Sequence, residues 1–248
     1  MDLEKIRSQL YSAVLSDTLD SLGMLDQVLS PGIRPLEEST VLCGWARVGL
    51  YMPIYHDDET VNVYEKELEL IDSLQPDEVP VLICHGIKKI APWGELLSTR
   101  ATYLKSGGCL TDGSVRDVRL IREMKFPVYA GNISPLDSKH RGKLTWYDVP
   151  GRIHGVEVHS GDLIFGDADG VVIIPKKSVE QVLEKALGKV SEKIRYVKNL
   201  SRVKPSKGFS PTTGSCKARE SLNYACRYPL PNAGIQYFHS ECDIVPAF

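Results

Sequence analysis

Short apolar segments alternate with segments of helical spacing through the first half of this 248-residue chain. The predicted strands cover 41–54, 79–86, 109–113 and 126–131, and the predicted helices between them cover 60–73, 94–106 and 117–124. Strands that alternate with helices favour a parallel sheet joined by crossover helices. The pattern therefore constrains this part of the chain to an α/β fold.

The flanking regions differ from this alternating core. Residues 3–22 have apolar side chains at helical spacing, and Ser16 before Asp17 could begin a second short helix there. After residue 132, glycines separate short β-rich pieces, which indicates an antiparallel ribbon or a partial barrel. A strongly amphipathic helix is predicted over 178–199, and its apolar stripe needs a partner surface.

The segment 205–248 has a different composition from the rest. It contains five prolines and three of the six cysteines, and it has no helical period. We therefore predict one α/β domain over 1–204 and a C-terminal extension over 205–248. The extension could be flexible, could be an arm that packs on a neighbouring subunit, or could be an unrelated tail.

Composition excludes several classes of partner. The chain is 42% hydrophobic and 25% charged with a formal net charge of −2, and no basic stripe predicts nucleic acid binding. Its apolar runs are too short to span a membrane. The N-terminal residues lack a signal-peptide core, and the six cysteines form no CxxC pair. We therefore expect reduced thiols, a cytoplasmic protein, and neither membrane nor nucleic acid as a partner.

Two short motifs, 22 residues apart, have the chemistry of a ligand site. Gly94-Glu95-Leu96-Leu97 opens a predicted helix, whose first backbone amides suit a carboxylate. Arg116 offers a planar fork for a carboxylate or an enolate, and Asp117 can hold a hard divalent cation. Alternatively, Asp117 only caps the helix that follows it and Arg116 lies on the surface. Both motifs follow strands of the predicted parallel sheet, and ligands bind such sheets beyond the carboxyl ends of the strands. This placement favours a site for a small, metal-chelating acid.

Other candidate residues are weaker. Asp162, Asp167 and Asp169 lie among glycines, but their spacing fails the EF-hand pattern and favours a turn-rich ribbon. Asp17 is best explained as a helix cap. The six histidines have no metal-ligand spacing, and His85 is more typical of a structural histidine. Lys88 and Lys89 could form a Schiff base with a carbonyl substrate, although an exposed, solvated pair is the simpler interpretation. Gly107-Gly108 lacks the pattern of a phosphate loop.

Four blocks of sequence resemble a known family. WGELL, GGCLTDGSVRD, FPVYA and VHSGDLIFGDADGVVIIP are similar to the class II pyruvate aldolases of the 4-hydroxy-4-methyl-2-oxoglutarate aldolase type, which share a family with the regulator of ribonuclease activity A. The resemblance covers roughly residues 1–200 in order and leaves the tail unaccounted for. It implies an RraA-like fold, the three-layered swivelling β/β/α domain.

The resemblance also implies roles for individual residues. Asp117 matches the aspartate that binds Mg²⁺ or Mn²⁺, and Arg116 matches the arginine that binds the substrate. The backbone amides of Gly94, Glu95, Leu96 and Leu97 match the loop that receives the pyruvate carboxylate. Glu95 lies where the family has an acid near the metal's water shell. A further acid is expected from the C-terminal helix of a neighbouring subunit, and Glu192 is the nearest match, although a plain solvated helix charge explains Glu192 equally well.

The function that follows from the resemblance is a metal-dependent lyase. It would cleave a 4-hydroxy-2-oxo diacid to pyruvate through an enolate stabilised by the cation and Arg116, and would also decarboxylate oxaloacetate. The expected partner molecule is a small 2-oxo acid, and the expected assembly is a homotrimer or a hexamer built from trimers. The alternative is a non-catalytic regulator that binds a ribonuclease or an RNA helicase, like the other branch of the family.

Overall fold

A computed structural model describes residues 2–56 and 60–200 of the chain, with side chains described up to residue 195. The helices are α1 (Leu3–Gln9), α2 (Ser12–Asp20), α3 (Glu65–Asp72), α4 (Glu95–Tyr103), α5 (Val118–Met124) and α6 (Val179–Leu200). The strands are β1 (Arg34–Pro35), β2 (Leu42–Pro53), β3 (Glu78–Ile83), β4 (Cys109–Val115), β5 (Val128–Ile133), β6 (Gly142–Tyr147), β7 (Gly151–Ile153), β8 (Val156–Val158), β9 (Leu163–Asp167) and β10 (Gly170–Ile174). The predicted extension 205–248 lies outside the described residues.

The main sheet combines a parallel half with an antiparallel half. Its order is β1-β5-β4-β3-β2-β9-β10, with β6 paired to the end of β2. Strands β2 to β5 run parallel through the crossover helices α3, α4 and α5, as the alternating pattern predicts. Strands β6, β9 and β10 pair antiparallel, and β7 with β8 forms a separate two-stranded ribbon. The prediction of an antiparallel ribbon after residue 132 is therefore confirmed.

The segment between α2 and β2 nearly closes this sheet into a barrel. The Leu29 amide donates to the Val171 carbonyl at 2.9 Å and the Ile173 amide donates to the Gln27 carbonyl at 2.9 Å, so residues 27–29 pair with β10. A few residues later, β1 pairs with β5 at the opposite edge of the sheet. The same short segment thus bonds to both edges, which leaves the interior of the barrel enclosed.

Three apolar clusters divide the domain into layers. One cluster fills the barrel with alternate side chains of the strands, including Val79, Val81, Ile83, Ile164 and Ile173. A second lies between the barrel and α3, α4 and α5, and a third lies between the barrel and α1, α2 and α6. Helices therefore cover two sides of the barrel, and the predicted three-layered α/β fold is confirmed. No helix among the described residues has the length and apolar character needed to cross a membrane.

The N-terminal helices divide at a different place from the one predicted. Leu10 and Tyr11 are both extended, with φ of −103° and −145° respectively, so the first helix ends at Gln9, well before Ser16. The carboxylate of Asp167, on the β9–β10 hairpin, accepts hydrogen bonds from the Ser12 amide at 2.7 Å and the Ser12 hydroxyl at 2.6 Å. The start of α2 is thus fixed by a distant side chain, which local sequence cannot reveal.

Helix α6 buries its apolar stripe within its own chain. Val179, Val182, Leu183 and Ala186 are buried against α2 and the β9–β10 hairpin. The partner surface that the sequence analysis requires for this stripe is therefore supplied, for the first half of the helix, by the chain's own domain. In the last described turns, Ile194 is 51% exposed.

Candidate functional site

Strand β4 holds the loop that leads to the Gly94 turn. The buried carboxylate of Asp112 accepts hydrogen bonds from the amides of Cys84 and, at 3.0 Å, Gly86. The Ser114 hydroxyl donates to the Lys88 carbonyl at 2.6 Å, and the Ser114 amide donates to the Ile90 carbonyl at 2.9 Å. The loop after β3 therefore follows β4 along its length and delivers Trp93 to the end of that strand.

Backbone pairing brings the two predicted motifs into contact. Trp93 pairs with Val115 as an isolated parallel bridge, and the Arg116 amide donates to the Trp93 carbonyl at 3.0 Å. The turn is locked further by Ser98, which accepts from the Trp93 indole at 2.8 Å and donates to the Gly94 carbonyl at 2.9 Å. Residues that are 22 positions apart in sequence thus become neighbours at one edge of the sheet.

Gly94 is required by the closeness of this approach. A Cβ atom on Gly94 would lie 2.7 Å from a carboxylate oxygen of Asp117 and 3.1 Å from Cγ of Arg116. Its φ of −157° is ordinary extended backbone, so the constraint is steric and does not come from the dihedral angle. Only glycine lets the carboxylate reach the start of α4.

Asp117 uses its carboxylate across the site and not as a cap on its own helix. It has a left-handed backbone with φ of 59°, and its side chain makes no capping bond to α5 among the described contacts. One carboxylate oxygen instead accepts from the Glu95 amide at 3.2 Å. A non-glycine residue in this conformation is uncommon, although aspartate tolerates it better than most. The alternative interpretation of Asp117 as a simple helix cap is therefore not supported.

Arg116 lies between two carboxylates. Its Nε is 3.7 Å from Asp117 and its guanidinium Nη1 is 3.3 Å from Asp137, which follows β5. Asp137 also accepts from the Tyr64 hydroxyl at 2.9 Å. Burial alone would raise the pKa of Asp137, but the Tyr64 hydroxyl, backbone amides and Arg116 together lower it. Burial, followed by the bond to Asp137, raises the pKa of Tyr64 to about 12. The group thus consists of a neutral phenol, an ionised carboxylate and a fixed guanidinium.

These residues line a cavity of about 330 Å³ at the end of the parallel strands. Its apolar wall is formed by Leu68, Ala91, Pro92, Trp93, Leu96 and Leu97. Its polar wall is formed by Tyr64, Glu67, Arg116, Asp117, Asp137 and Ser138. Among the described lining residues, Arg116 is the only cationic side chain and there is no lysine, so Lys88 and Lys89 are not placed for a Schiff base.

Sequence reasoning missed four polar residues of this wall. Tyr64, Glu67, Asp137 and Ser138 carry no motif of their own. On α3 the apolar Leu68 is 45% exposed, whereas the neighbouring Glu67 is only 6% exposed. The helix is turned so that a carboxyl faces inward, where it accepts a hydrogen bond from the Tyr51 hydroxyl. A glutamate within an otherwise apolar face was the one available signal.

Glu95 contributes its backbone to the site and turns its side chain away. Its carboxylate accepts from the Thr99 hydroxyl one turn along α4, at 3.2 Å, and it is not among the cavity-lining residues. Leu96 and Leu97 do line the cavity, and Leu96 is 74% exposed at its mouth. The predicted role of Glu95 as an acid near a cation stays a prediction, as does the role of the exposed Glu192 on α6.

The weaker sequence candidates have structural roles. Asp162 accepts from the amides of His159 and Lys176, each at 2.8 Å, and the Asp169 carbonyl accepts from Arg34 at 2.8 Å. Together with Asp167, which binds Ser12, these aspartates fix the turns before and after strand β9. Asp17 is exposed on α2 and its carbonyl accepts from Lys189. His85 is an exposed residue of the loop after β3 and does not line the cavity.

The donor chemistry of the cavity fits a hard divalent cation held loosely by the protein. The described residues contain no group of three or more metal-ligating side chains. Mg²⁺ commonly keeps several waters and takes only one or two protein carboxylates, with the remaining ligands supplied by the substrate. Asp117 is 40% exposed and faces the cavity, so its carboxylate could serve in this way.

Comparison with known proteins places the chain in a family. Residues 12–173 match the family model described as RraA-like, Aldolase/RraA. The chain therefore belongs to the RraA-like family, a class that includes aldolases and the RraA proteins. This confirms the resemblance drawn from the sequence blocks.

Two relatives and one solved structure illustrate the match. The chain is 31% identical over 176 residues to protein DlpA of Legionella pneumophila, covering 71% of this chain but only 28% of DlpA. It is 32% identical over 182 residues to a Halalkalibacterium halodurans protein provisionally named 4-hydroxy-4-methyl-2-oxoglutarate aldolase, covering 72% of this chain and 79% of that one. The structure of Streptomyces coelicolor RraAS2, described as an unusual member of the RNase ES inhibitor RraA family, matches with a TM-score of 0.70 and 25% identity, covering 79% of this chain and 97% of RraAS2.

Proposed function

We propose that this protein is a divalent-metal-dependent lyase that releases pyruvate from 4-hydroxy-2-oxo acids of the 4-hydroxy-4-methyl-2-oxoglutarate type and also decarboxylates oxaloacetate. The observation that carries the proposal is the meeting of Gly94, Arg116 and Asp117 at one cavity, with Asp117 3.2 Å from the Glu95 amide and 3.7 Å from Arg116. The aldolase name of the Halalkalibacterium halodurans relative supports the same reaction class.

The substrate's pyruvate half fits the polar side of the cavity. Arg116 presents a guanidinium whose orientation is fixed by Asp137 at 3.3 Å, and such a fork binds a carboxylate or a developing enolate oxygen. The first amides of α4 face the same space, and the Glu95 amide is already bonded to Asp117. The amides of Leu96 and Leu97 would therefore receive the carboxylate.

Asp117 would hold the cation, Mg²⁺ or Mn²⁺. When bound, a divalent cation polarises the keto group of a 2-oxo acid as a Lewis acid. The apolar wall of Trp93, Pro92 and Leu97 excludes water from that side of the cavity, and a dry wall strengthens the electrostatic attraction between Arg116 and the anionic substrate. Because enolate formation is common to retro-aldol cleavage and to β-decarboxylation, one site can perform both reactions.

The test is pyruvate release from a panel of 4-hydroxy-2-oxo acids and oxaloacetate, measured with EDTA and after addition of Mg²⁺ or Mn²⁺. We expect release only with the metal, and a loss of about 10²-fold or more in Asp117→Asn, which keeps the shape of the side chain and tolerates its left-handed backbone. Trapping of a substrate on a lysine by borohydride would contradict the mechanism. A protein that releases no pyruvate with any substrate or metal would instead favour a non-catalytic regulator.

A further inference from the structure

Glu67 is a buried carboxyl group that the proposed function leaves unused. It projects from the first turn of α3, is 6% exposed, and lines the same cavity as Arg116 and Asp117. Burying a carboxyl without a cation bonded to it is costly, so such a group is normally replaced by an apolar residue unless it has a role. Its neighbours on the same helix face, Leu70 and Ile71, are apolar core residues.

The side chain of Glu67 is held in one orientation. The Tyr51 hydroxyl, fully buried on β2, donates a hydrogen bond to one carboxyl oxygen of Glu67. Burial, followed by the negative charge of Glu67, raises the pKa of Tyr51, so the phenol stays protonated and remains a donor. One oxygen of Glu67 is thereby fixed on the core side, while the residue still borders the cavity.

The surroundings of Glu67 bring its pKa close to neutrality. Its pKa is raised from 4.5 to about 7 as the net effect of four causes: burial, the largest, raises the pKa, the Tyr51 bond lowers it, Asp137 raises it, and Arg116 lowers it. The titratable and charged groups that interact with Glu67 come from five places in the fold: Tyr51 on β2, Tyr64 before α3, Cys84 after β3, Arg116 after β4 and Asp137 after β5. A carboxyl with a pKa near the working pH can both give and take a proton.

We infer that Glu67 is the acid that protonates C3 of the pyruvate enolate, with Tyr51 as its positioning residue. This rests on the proposed function. When the C3–C4 bond breaks, its electron pair stays on the pyruvate fragment and the proton of the C4 hydroxyl passes to water. The Glu67 carboxyl then gives its proton to C3, which forms the third C–H bond of the methyl group, and the carboxylate regains a proton from water. In the reverse direction, the Glu67 carboxylate removes a proton from the methyl group of pyruvate.

The reverse step can be measured without any C–C cleavage. Pyruvate is incubated with the full-length protein and Mg²⁺ in deuterium oxide, and loss of the methyl proton signal is followed by NMR. We expect exchange in the wild type and a drop of about 10²-fold or more in Glu67→Gln, because acid–base groups typically contribute that much. Glu65→Gln, on the exposed side of the same helix, is the matched control and should exchange like the wild type. Tyr51→Phe should keep partial exchange, with its pH profile moved to higher pH because the carboxylate loses a donor.

A metal-free measurement on the wild-type protein tests the protonation of Glu67 even if the variant fails to fold. The infrared band of a protonated carboxyl should titrate near neutral pH in the wild-type protein without metal, and should be missing in Glu67→Gln. Full methyl exchange in a folded Glu67→Gln, or a Glu67 carboxyl that is ionised well below neutral pH, would overturn the inference while leaving pyruvate release intact. A wild type that neither releases pyruvate nor exchanges its methyl protons would overturn the inference and the proposed function together.

Discussion

At the scale of single residues, the site depends on the close approach of the Asp117 carboxylate to Gly94, which only glycine permits. We predict that Gly94→Ala lowers metal-dependent pyruvate release by about 10²-fold, because the new methyl group displaces the Asp117 carboxylate that would lie 2.7 Å away. Steady-state kinetics would measure the loss, with circular dichroism confirming the fold.

Gly188→Ala is the matched control for Gly94→Ala. Gly188 lies inside α6, and a Cβ atom added there would meet no atom from the rest of the fold within 4 Å, so alanine should leave activity unchanged. It should also stabilise the helix by about 0.5–1 kcal/mol, because alanine has the higher helix propensity. Equal activity in the two variants would mean that the contact between Gly94 and Asp117 is not needed for the reaction.

The raised pKa of the buried Glu67 predicts that the free energy of unfolding changes with pH. Its pKa is raised from 4.5 to about 7, so the folded state holds a proton that the unfolded state has released between these values. Its stabilising effect is therefore complete below the lower value and is lost as pH rises through the upper one. Since one pKa unit corresponds to 1.36 kcal/mol, the loss is at most about 3 kcal/mol.

Glu67→Gln removes this titration and should flatten the pH dependence. We expect urea unfolding to show the variant gaining on the wild type between about pH 5 and pH 8, in line with the linkage relation. A constant difference between the two proteins across that range would show that Glu67 does not change its protonation state there.

At the scale of elements, the alternating pattern predicted the parallel strands well but not the orientation of the helices. Strands β2 to β5 lie where the apolar segments were predicted, because a strand buried on both faces leaves a continuous apolar run in the sequence. The inward position of Glu67 on helix α3 could not be predicted from local spacing, because it depends on Tyr51 and on the cavity. Gly94, Arg116 and Asp117 could be recognised as a motif, whereas Tyr64 and Asp137 join the site only through contacts between distant segments.

The junction of α1 and α2 gives a prediction at the same scale. Asp167 accepts from the amide and hydroxyl of Ser12 and, at 3.0 Å, from the Asp169 amide, so one carboxylate fixes both the start of α2 and the β9–β10 turn. We predict that Asp167→Ala lowers the free energy of unfolding by about 2–3 kcal/mol, as expected for losing hydrogen bonds to a charged group, while kcat/KM per folded molecule stays unchanged. Chemical denaturation and kinetics measure the two effects separately, and a loss of activity in a fully folded variant would contradict this separation.

At the scale of the whole molecule, the mouth of the cavity has an exposed apolar rim. Leu68 and Leu96 line it and are 45% and 74% exposed, respectively, which suits a site completed at a subunit boundary. The family resemblance implies a homotrimer, or a hexamer built from trimers, and we predict that light scattering will show this assembly. An active monomer would show that no acid from a neighbouring subunit, Glu192 or another, is needed.

The segment 205–248 can be tested in the same measurement. The family match ends at residue 173, and the first half of α6 buries its apolar stripe on its own domain, so neither observation assigns the segment a part in the fold. We predict that a chain truncated after Lys204 keeps the assembly, the melting temperature and the pyruvate release of the full chain, because the three apolar clusters that pack the described domain are built from residues 3–190. Light scattering of the two chains side by side decides the point. Dissociation or precipitation of the truncated chain would show that the segment is an arm of the assembly. Removing such an arm would expose apolar surface on the neighbouring subunit, whereas removing a surface extension would not.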